Sequence, residues 1–82
     1  MTVDFTAHAL DQLYRWRLSE AAVLDVIQNP DRVTHDDRSR AWQWTGTRWL
    51  RVTYLEGDGE PLVITVALLR QGPEGEDNAH HL

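Results

Sequence analysis

The sequence predicts a small α+β domain, with two N-terminal helices packed on one face of a three- to four-stranded antiparallel meander. Apolar residues recur at helical spacing in the first third of the chain, and apolar and polar residues alternate from Arg40 onward. Glycine-containing turns separate the later segments. The length of 82 residues suits one domain, for which we predict residues 1–70, followed by a mobile acidic tail at 71–82.

The N-terminal segment is predicted to hold a short strand at 1–5 and a helix at 7–16. Thr6 is suited to cap this helix, because its hydroxyl can accept an orphan backbone N–H. The apolar stripe of the helix follows i, i+3, i+4 spacing at Leu10, Leu13 and Tyr14.

A second helix is predicted after the connection Arg17-Leu18, with Ser19 as its N-cap and Glu20 in its first turn. Its buried stripe is expected to consist of Ala22, Val23, Val26 and Ile27. Asn29-Pro30 ends the helix, because a residue that precedes proline avoids the α region.

The second half of the chain is predicted to be β-structure. The strands are expected at residues 32–35, 40–45, 48–55 and 61–69. Gly46-Thr47 forms a two-residue hairpin turn in which glycine takes the positive φ of a type II′ turn.

This turn predicts the register of the central hairpin: Trp44 opposite Trp49, Trp42 opposite Arg51, and Arg40 opposite Thr53. One sheet face then carries Arg40, Trp42, Trp44, Trp49 and Arg51, a set that we call the Trp/Arg face. We expect the helices to cover the other face, at Leu50, Val52, Ile64 and Val66, and to leave the Trp/Arg face open.

Composition excludes several classes of protein. Cysteine is absent, so the chain forms neither disulfides nor thiolate metal sites. We expect no cofactor and no metal, because His8, His35 and His80-His81 lack ligand spacing and Asp36-Asp37 is more typical of a solvated turn. The N-terminus lacks the pattern of a signal peptide and no apolar run is long enough for a membrane span, so we predict a cytoplasmic protein.

Charge is distributed unevenly along the chain. The formal net charge is −5, which argues against non-specific binding of nucleic acid. Every basic residue is arginine, and seven of the eight arginines lie between Arg15 and Arg51. Because arginine binds phosphate and carboxylate groups in a bidentate manner, this central region is still a candidate binding surface.

His8 is the first candidate for chemistry. It lies in the first turn of the first helix, where the helix dipole disfavours the imidazolium and so favours the neutral form that a general base requires. Arg15 lies nearly two turns later, on about the same side of the helix. The alternative is that His8 only caps the helix or bonds to backbone.

The Trp/Arg face is the second candidate. Rings interleaved with guanidinium groups can stack unpaired bases of RNA. The same side chains are typical of protein interfaces, where tryptophan and arginine supply most of the binding energy. A third alternative is that the C-terminal tail or a partner helix covers the rings, since three exposed tryptophans are unusual without some partner.

Several short motifs follow one another along residues 5–67. They are Phe5-Thr6-Ala7-His8-Ala9-Leu10, Ser19-Glu20 with Val23-Leu24, Asn29-Pro30-Asp31, Leu50-Arg51-Val52-Thr53-Tyr54 and Val63-Ile64-Thr65-Val66. In their order and spacing these motifs resemble a small prokaryotic family, the domain of unknown function family 4258, which is related to the RelE and BrnT toxins. The resemblance implies a RelE/BrnT-like fold, ribonuclease activity on messenger RNA and an antitoxin partner.

The same resemblance implies roles for individual residues. His8 matches the histidine of the family, Arg48 and Arg51 match basic positions around its long strand, and Thr65 matches a threonine in its last strand. Three features depart from the family pattern. The last strand, which in the family usually ends in an aromatic residue, runs here into Ala67-Leu68-Leu69. Gln12 stands where the family commonly has arginine, and Trp16-Arg17 stands where it commonly has arginine-glycine.

Two functional hypotheses follow. The first is a metal-free ribonuclease of a toxin-antitoxin system, in which His8, Arg48 and Arg51 are catalytic. Substrate binding would then fall to Arg15, Arg40, Trp42, Trp44, Trp49 and Thr65. The second is a catalytically silent interaction module that dimerises or binds an antitoxin-like partner through the Trp/Arg face.

Overall fold

The structure, a computed structural model, describes residues 2–73 and is an α+β fold of two helices and one five-stranded sheet. The elements are β1 (Asp4–Phe5), α1 (Ala7–Trp16), α2 (Glu20–Gln28), β2 (Arg32–His35), β3 (Ser39–Trp44), β4 (Trp49–Leu55) and β5 (Leu62–Leu69). The strand order is β1-β5-β4-β3-β2. No helix within these residues is long and apolar enough to cross a membrane.

The sheet corrects the predicted strand count of three or four and its purely antiparallel character. Strands β2 to β5 form the predicted meander, but β1 pairs with β5 in parallel. Two helices and three strands separate β1 from β5 in the chain, a connection long enough for the crossover that a parallel pair requires. Asp4 and Thr6 attach this short strand through N–H bonds to the carbonyls of Pro61 and Val63.

Both predicted N-caps are confirmed. The Thr6 hydroxyl accepts the N–H of Ala9 at 3.1 Å, and the Ser19 hydroxyl accepts that of Ala22 at 3.0 Å. Helix α1 is also fastened to the sheet, because the side-chain oxygen of Gln12 accepts the Val66 N–H at 2.8 Å. These bonds satisfy backbone donors that the helix starts and the edge of β5 would otherwise leave unpaired.

The core lies between the helices and one face of the sheet, as predicted. It is built from Ala9, Leu13, Val23, Val26, Ala41, Leu50, Val52, Tyr54, Val63 and Val66. The prediction of Ile64 as a core residue was wrong. A register irregularity between Thr53 and Tyr54 brings Val63 opposite Tyr54, and Val63 is fully buried while Ile64 is only half-buried. A one-residue slip exchanges the faces of a strand, which explains the replacement.

The predicted register of the β3–β4 hairpin is confirmed at all three pairs, Trp44 with Trp49, Trp42 with Arg51 and Arg40 with Thr53. Gly46 adopts φ +102, a conformation that glycine tolerates far better than other residues. The turn therefore sets which side chains of β3 and β4 share the face that lies away from the helices.

Arg17 ends α1 in the left-handed region, with φ 57, and its N–H donates to the carbonyls of Leu13 and Tyr14. Glycine usually occupies this position because it lacks the Cβ that strains the left-handed conformation. We expect Arg17→Gly to raise the free energy of unfolding by about 0.5–1 kcal/mol, measured by urea denaturation. Arg15→Gly, inside the same helix, should lower it by about 1 kcal/mol. Destabilisation by both variants would contradict this account of the cap.

Candidate functional site

The Trp/Arg face lies on the side of the sheet opposite the helices. Strands β3 and β4 place its members next to one another, because paired residues of antiparallel strands project from the same face. Thr65 joins the same face from β5, since it pairs with Thr53, the partner of Arg40. The structure therefore brings together Arg51 and all of the predicted substrate-binding residues except Arg15.

Three indole rings form a continuous cluster within this face. The Trp42 and Trp49 ring centroids are 6.4 Å apart with the planes at 82°, and those of Trp44 and Trp49 are 5.5 Å apart at 59°. Edge-to-face and tilted contacts of this kind are favoured by the ring quadrupoles. The Trp42 indole N–H also donates to the Thr34 hydroxyl at 3.0 Å, so its polar atom is satisfied.

The three tryptophans differ in exposure, which corrects the expectation of an open face. Trp42 is 1% exposed, Trp49 is half-buried and Trp44 is 47% exposed. Trp42 is therefore part of the packed interior, although it lies on the face without helices. Only the Trp44 edge of the cluster offers a large ring surface to a ligand.

Arginine side chains surround the rings. The Arg51 guanidinium carbon lies 5.7 Å from the Trp42 ring centroid, a cation–π contact. Arg40 pairs with the Asp36 carboxylate at 3.8 Å, and Arg32 is brought beside Trp42 by the β2–β3 pairing. All three arginines have further interaction partners. The face therefore combines apolar surface with guanidinium groups that are suited to carboxylates or phosphates.

The chain itself covers one corner of the Trp/Arg face. Gly72 lies so close to the Trp49 indole that a Cβ at this position would be 2.5 Å from Nε1 and 2.7 Å from Cε2. Pro73 is buried. The predicted mobile tail thus begins with residues that are packed, and the remainder, 74–82 with His80-His81, lies outside the described residues.

The structure does not bring His8 together with Arg48 and Arg51, the two arginines predicted to be catalytic with it. His8 is exposed in the first turn of α1, close to Thr6, whose N–H donates to the Val63 carbonyl. Val63 pairs with Tyr54, so the start of α1 lies near the level of Tyr54 on β4. Arg48 precedes Tyr54 by six positions, which corresponds to roughly 20 Å along a strand. Arg51 lies on the opposite face of the sheet from α1.

Arg48 and Arg15 are also placed apart from the face. Arg48 is exposed in the β3–β4 loop, where its backbone N–H donates to the Thr45 hydroxyl at 3.1 Å. Arg15 is exposed on α1 and pairs with the Asp11 carboxylate at 3.5 Å. Among the described residues, His8 and Arg15 thus both lie exposed on α1, whereas Arg48 lies in the β3–β4 loop.

A second cluster, which sequence reasoning missed, lines a small cavity of about 190 Å³ at the β2–β3 turn. It is lined by His35, Asp36, Asp37, Arg38, Ser39, Tyr54, Leu55 and Glu56. The Ser39 hydroxyl lies 3.3 Å from His35 Nδ1. The sequence signal for this cluster was that two aspartates directly follow His35. Only the fold shows that Tyr54 and Glu56 line the same cavity. Within residues 2–73 no three His, Asp or Glu side chains are placed to hold a metal ion.

Tyr54 makes this cavity sensitive to alkaline pH. Burial, and to a lesser extent the nearby Glu56 carboxylate, raises the pKa of Tyr54 above its ordinary value of 10.0. The unfolded chain therefore loses this proton at lower pH than the folded one. The resulting stability is complete below about pH 10 and is lost as the pH rises through the folded pKa.

We expect denaturant titrations above pH 10 to show this loss in the wild type and not in Tyr54→Phe. Tyr14→Phe is the control, because Tyr14 is 88% exposed on α1 and the variant retains Tyr54. An identical decline in wild type and Tyr54→Phe would show that other groups cause it.

No family model matches the chain, and comparison with curated proteins and with solved structures gives no significant match. The resemblance to the RelE and BrnT toxins therefore stays a prediction.

Proposed function

We propose that the protein is an interaction module, of RelE/BrnT-like fold, whose Trp/Arg face binds an extended acidic segment of a partner protein. The observation that carries this proposal is the position of the Arg51 guanidinium over the Trp42 ring, which belongs to a cluster of three indole rings on the sheet face without helices. Such a surface can bind a carboxylate at the arginine while apolar parts of the same segment pack on the rings.

The exposure of the rings favours a protein over RNA. Stacking of several unpaired bases requires several accessible ring faces, whereas Trp42 is buried and Trp49 is half-buried. The net charge of −5 also repels a polyanion at long range. A short acidic segment that contacts only the arginines of this face experiences less of that repulsion, because distant charges are screened within about 10 Å.

The same charges favour a different protein over a second copy of this chain. A two-fold dimer places the same patch on both sides of its interface. Trp/Arg faces in contact would bring the Arg40 and Arg51 side chains of both copies together, and like charges at an interface are unfavourable. If the resemblance to toxins extends to assembly, the partner is an antitoxin-like protein that supplies the acidic segment.

The test is a comparison of two labelled probes with the full chain, followed by fluorescence anisotropy. One probe is a peptide rich in Glu, Asp and Pro, and the other is a mixed-sequence single-stranded RNA of equal charge. We expect the peptide to bind more tightly, and its affinity to fall with added salt. Tighter binding of the RNA, or no peptide binding at any salt concentration, would contradict the proposal.

The second candidate function is a metal-free ribonuclease, which the exposed position of His8 in the first turn of α1 favours. An accessible imidazole there is suited to removing a proton from a 2′-hydroxyl. Cleavage of mixed-sequence RNA in the presence of a chelator, lost in His8→Ala, would support this candidate. Equal cleavage by wild type and His8→Ala would reject the role of His8.

A further inference from the structure

The chain leaves the sheet across the Trp/Arg face. Strand β5 ends at Leu69, which pairs with Trp49 at one corner of the face. Three positions later Gly72 lies against the Trp49 ring, and Pro73 is buried. The last described residues are therefore held on the tryptophan cluster.

Only glycine fits at position 72 without displacing neighbouring atoms. An added Cβ would approach three atoms of the Trp49 indole at 2.5 to 3.0 Å, closer than side chains normally pack. The Trp49 ring cannot simply rotate away, because it is in contact with both Trp42 and Trp44. A glycine here thus permits the chain to cross the ring at close range.

The residues that follow carry charge opposite to that of the face. Within the C-terminal segment, residues 74–82, the acidic residues are Glu74, Glu76 and Asp77. Nine extended residues reach about 30 Å. The face extends from Trp49 to the level of Thr53, the partner of Arg40, which is roughly 13 Å along β4. The segment is long enough to place its carboxylates at Arg51 and Arg40.

We propose that the C-terminal segment binds the Trp/Arg face of its own chain, and that Gly72-Pro73 directs it there. Its carboxylates pair with the arginines of the face and shield the indole rings. A partner segment of the same acidic chemistry then binds by displacing it. This last step rests on the proposed function, whereas the docking of the segment does not.

The experiment records the indole N–H signals of the ¹⁵N-labelled full chain, whose four tryptophans give separate reporters. Two variants disturb the segment: Gly72→Ala, and a neutral variant with Glu74→Gln, Glu76→Gln and Asp77→Asn. Gly57→Ala is the matched control for the first, because no atom lies within 4 Å of an added Cβ there. Glu20→Gln, Asp37→Asn and Asp58→Asn together remove the same number of charges elsewhere in the chain and are the control for charge.

We expect the Trp49 signal to shift and its proton exchange to accelerate roughly tenfold in both test variants, equivalent to about 1.4 kcal/mol of docking free energy. The Trp16 signal, from α1, should stay unchanged and so report an intact fold. The two control variants should superimpose on the wild type. Unchanged Trp49 signals in the neutral variant would overturn the proposal.

Concentration distinguishes the two ways in which the segment could reach the face. If the indole signals do not depend on protein concentration, the segment docks on its own chain. If they change with concentration, the segment of one copy docks on the face of another, and the proposal is overturned. The acidic peptide should bind the neutral variant more tightly than the wild type. If the peptide binds neither protein, the proposed function fails while the indole signals still decide the docking of the segment.

Discussion

Trp42→Ala is expected to lower the free energy of unfolding by about 3–5 kcal/mol, the usual range for removal of a buried large aromatic side chain. Trp42 is 1% exposed, contacts Trp49 edge to face and donates its indole N–H to Thr34. A small domain has only about 5–15 kcal/mol of stability in total. The variant should therefore melt well over 10 °C below the wild type, as measured by circular dichroism.

Trp44→Ala is the matched control, because Trp44 belongs to the same cluster but is 47% exposed. Its loss should cost about 1 kcal/mol, the magnitude of one aromatic pair. Equal destabilisation by the two substitutions would contradict the difference in packing between the interior and the edge of the Trp/Arg face.

Arg51→Gln is expected to weaken binding of the acidic peptide by about tenfold to a hundredfold. The substitution removes a charge-assisted contact worth about 1.5–3 kcal/mol, and each 1.4 kcal/mol corresponds to a factor of ten. Arg51→Lys should recover only part of the affinity, because lysine keeps the charge but lacks the planar group that fits both a ring and a carboxylate. Isothermal titration calorimetry on folded variants measures the effect.

Arg38→Gln provides the control for this prediction. Arg38 is an exposed arginine of the β2–β3 turn that lines the cavity and is not a member of the Trp/Arg face. Its replacement changes the net charge of the protein by the same amount and should leave the affinity within about twofold, since only long-range attraction is altered. Equal losses for Arg51→Gln and Arg38→Gln would show that the peptide responds to overall charge alone.

The sequence was most informative where local chemistry decides structure. Thr6 and Ser19 could be recognised as caps because their hydroxyls satisfy backbone donors within the same turn. Gly46 identified the hairpin turn and, with it, the pairing that assembles the Trp/Arg face. Each of these features depends on a few neighbouring residues, which is why they could be predicted.

Features that depend on distant parts of the chain were missed. The parallel pairing of β1 with β5 joins residues far apart in sequence, and the irregularity that buries Val63 in place of Ile64 has no local signal. The burial of Trp42 could not be inferred from alternation alone. Gly72 looked like part of a mobile tail because its contact with Trp49 exists only after folding.

In the candidate site, too, the features that depend on neighbouring residues were predicted and those that depend on distant parts of the chain were missed. The residues of the Trp/Arg face were predicted correctly as neighbours, since one turn determines their register. The grouping of His8 with Arg48 and Arg51 was implied by resemblance and not by register, and the fold separates His8 from both arginines. The pairing of Ser39 with Tyr54 at the cavity continues the hairpin register one pair beyond Arg40 and Thr53, and it was missed because the predicted strand began at Arg40.

The most direct test of the proposed binding surface is to map the acidic peptide on the ¹⁵N-labelled full chain by nuclear magnetic resonance. We predict shifts of the Trp44 and Trp49 indole signals and of backbone signals along β3 and β4, with the Trp16 indole signal unchanged. Shifts confined to α1, around the exposed Leu10 and Tyr14, with unchanged indole signals on the Trp/Arg face, would contradict this account.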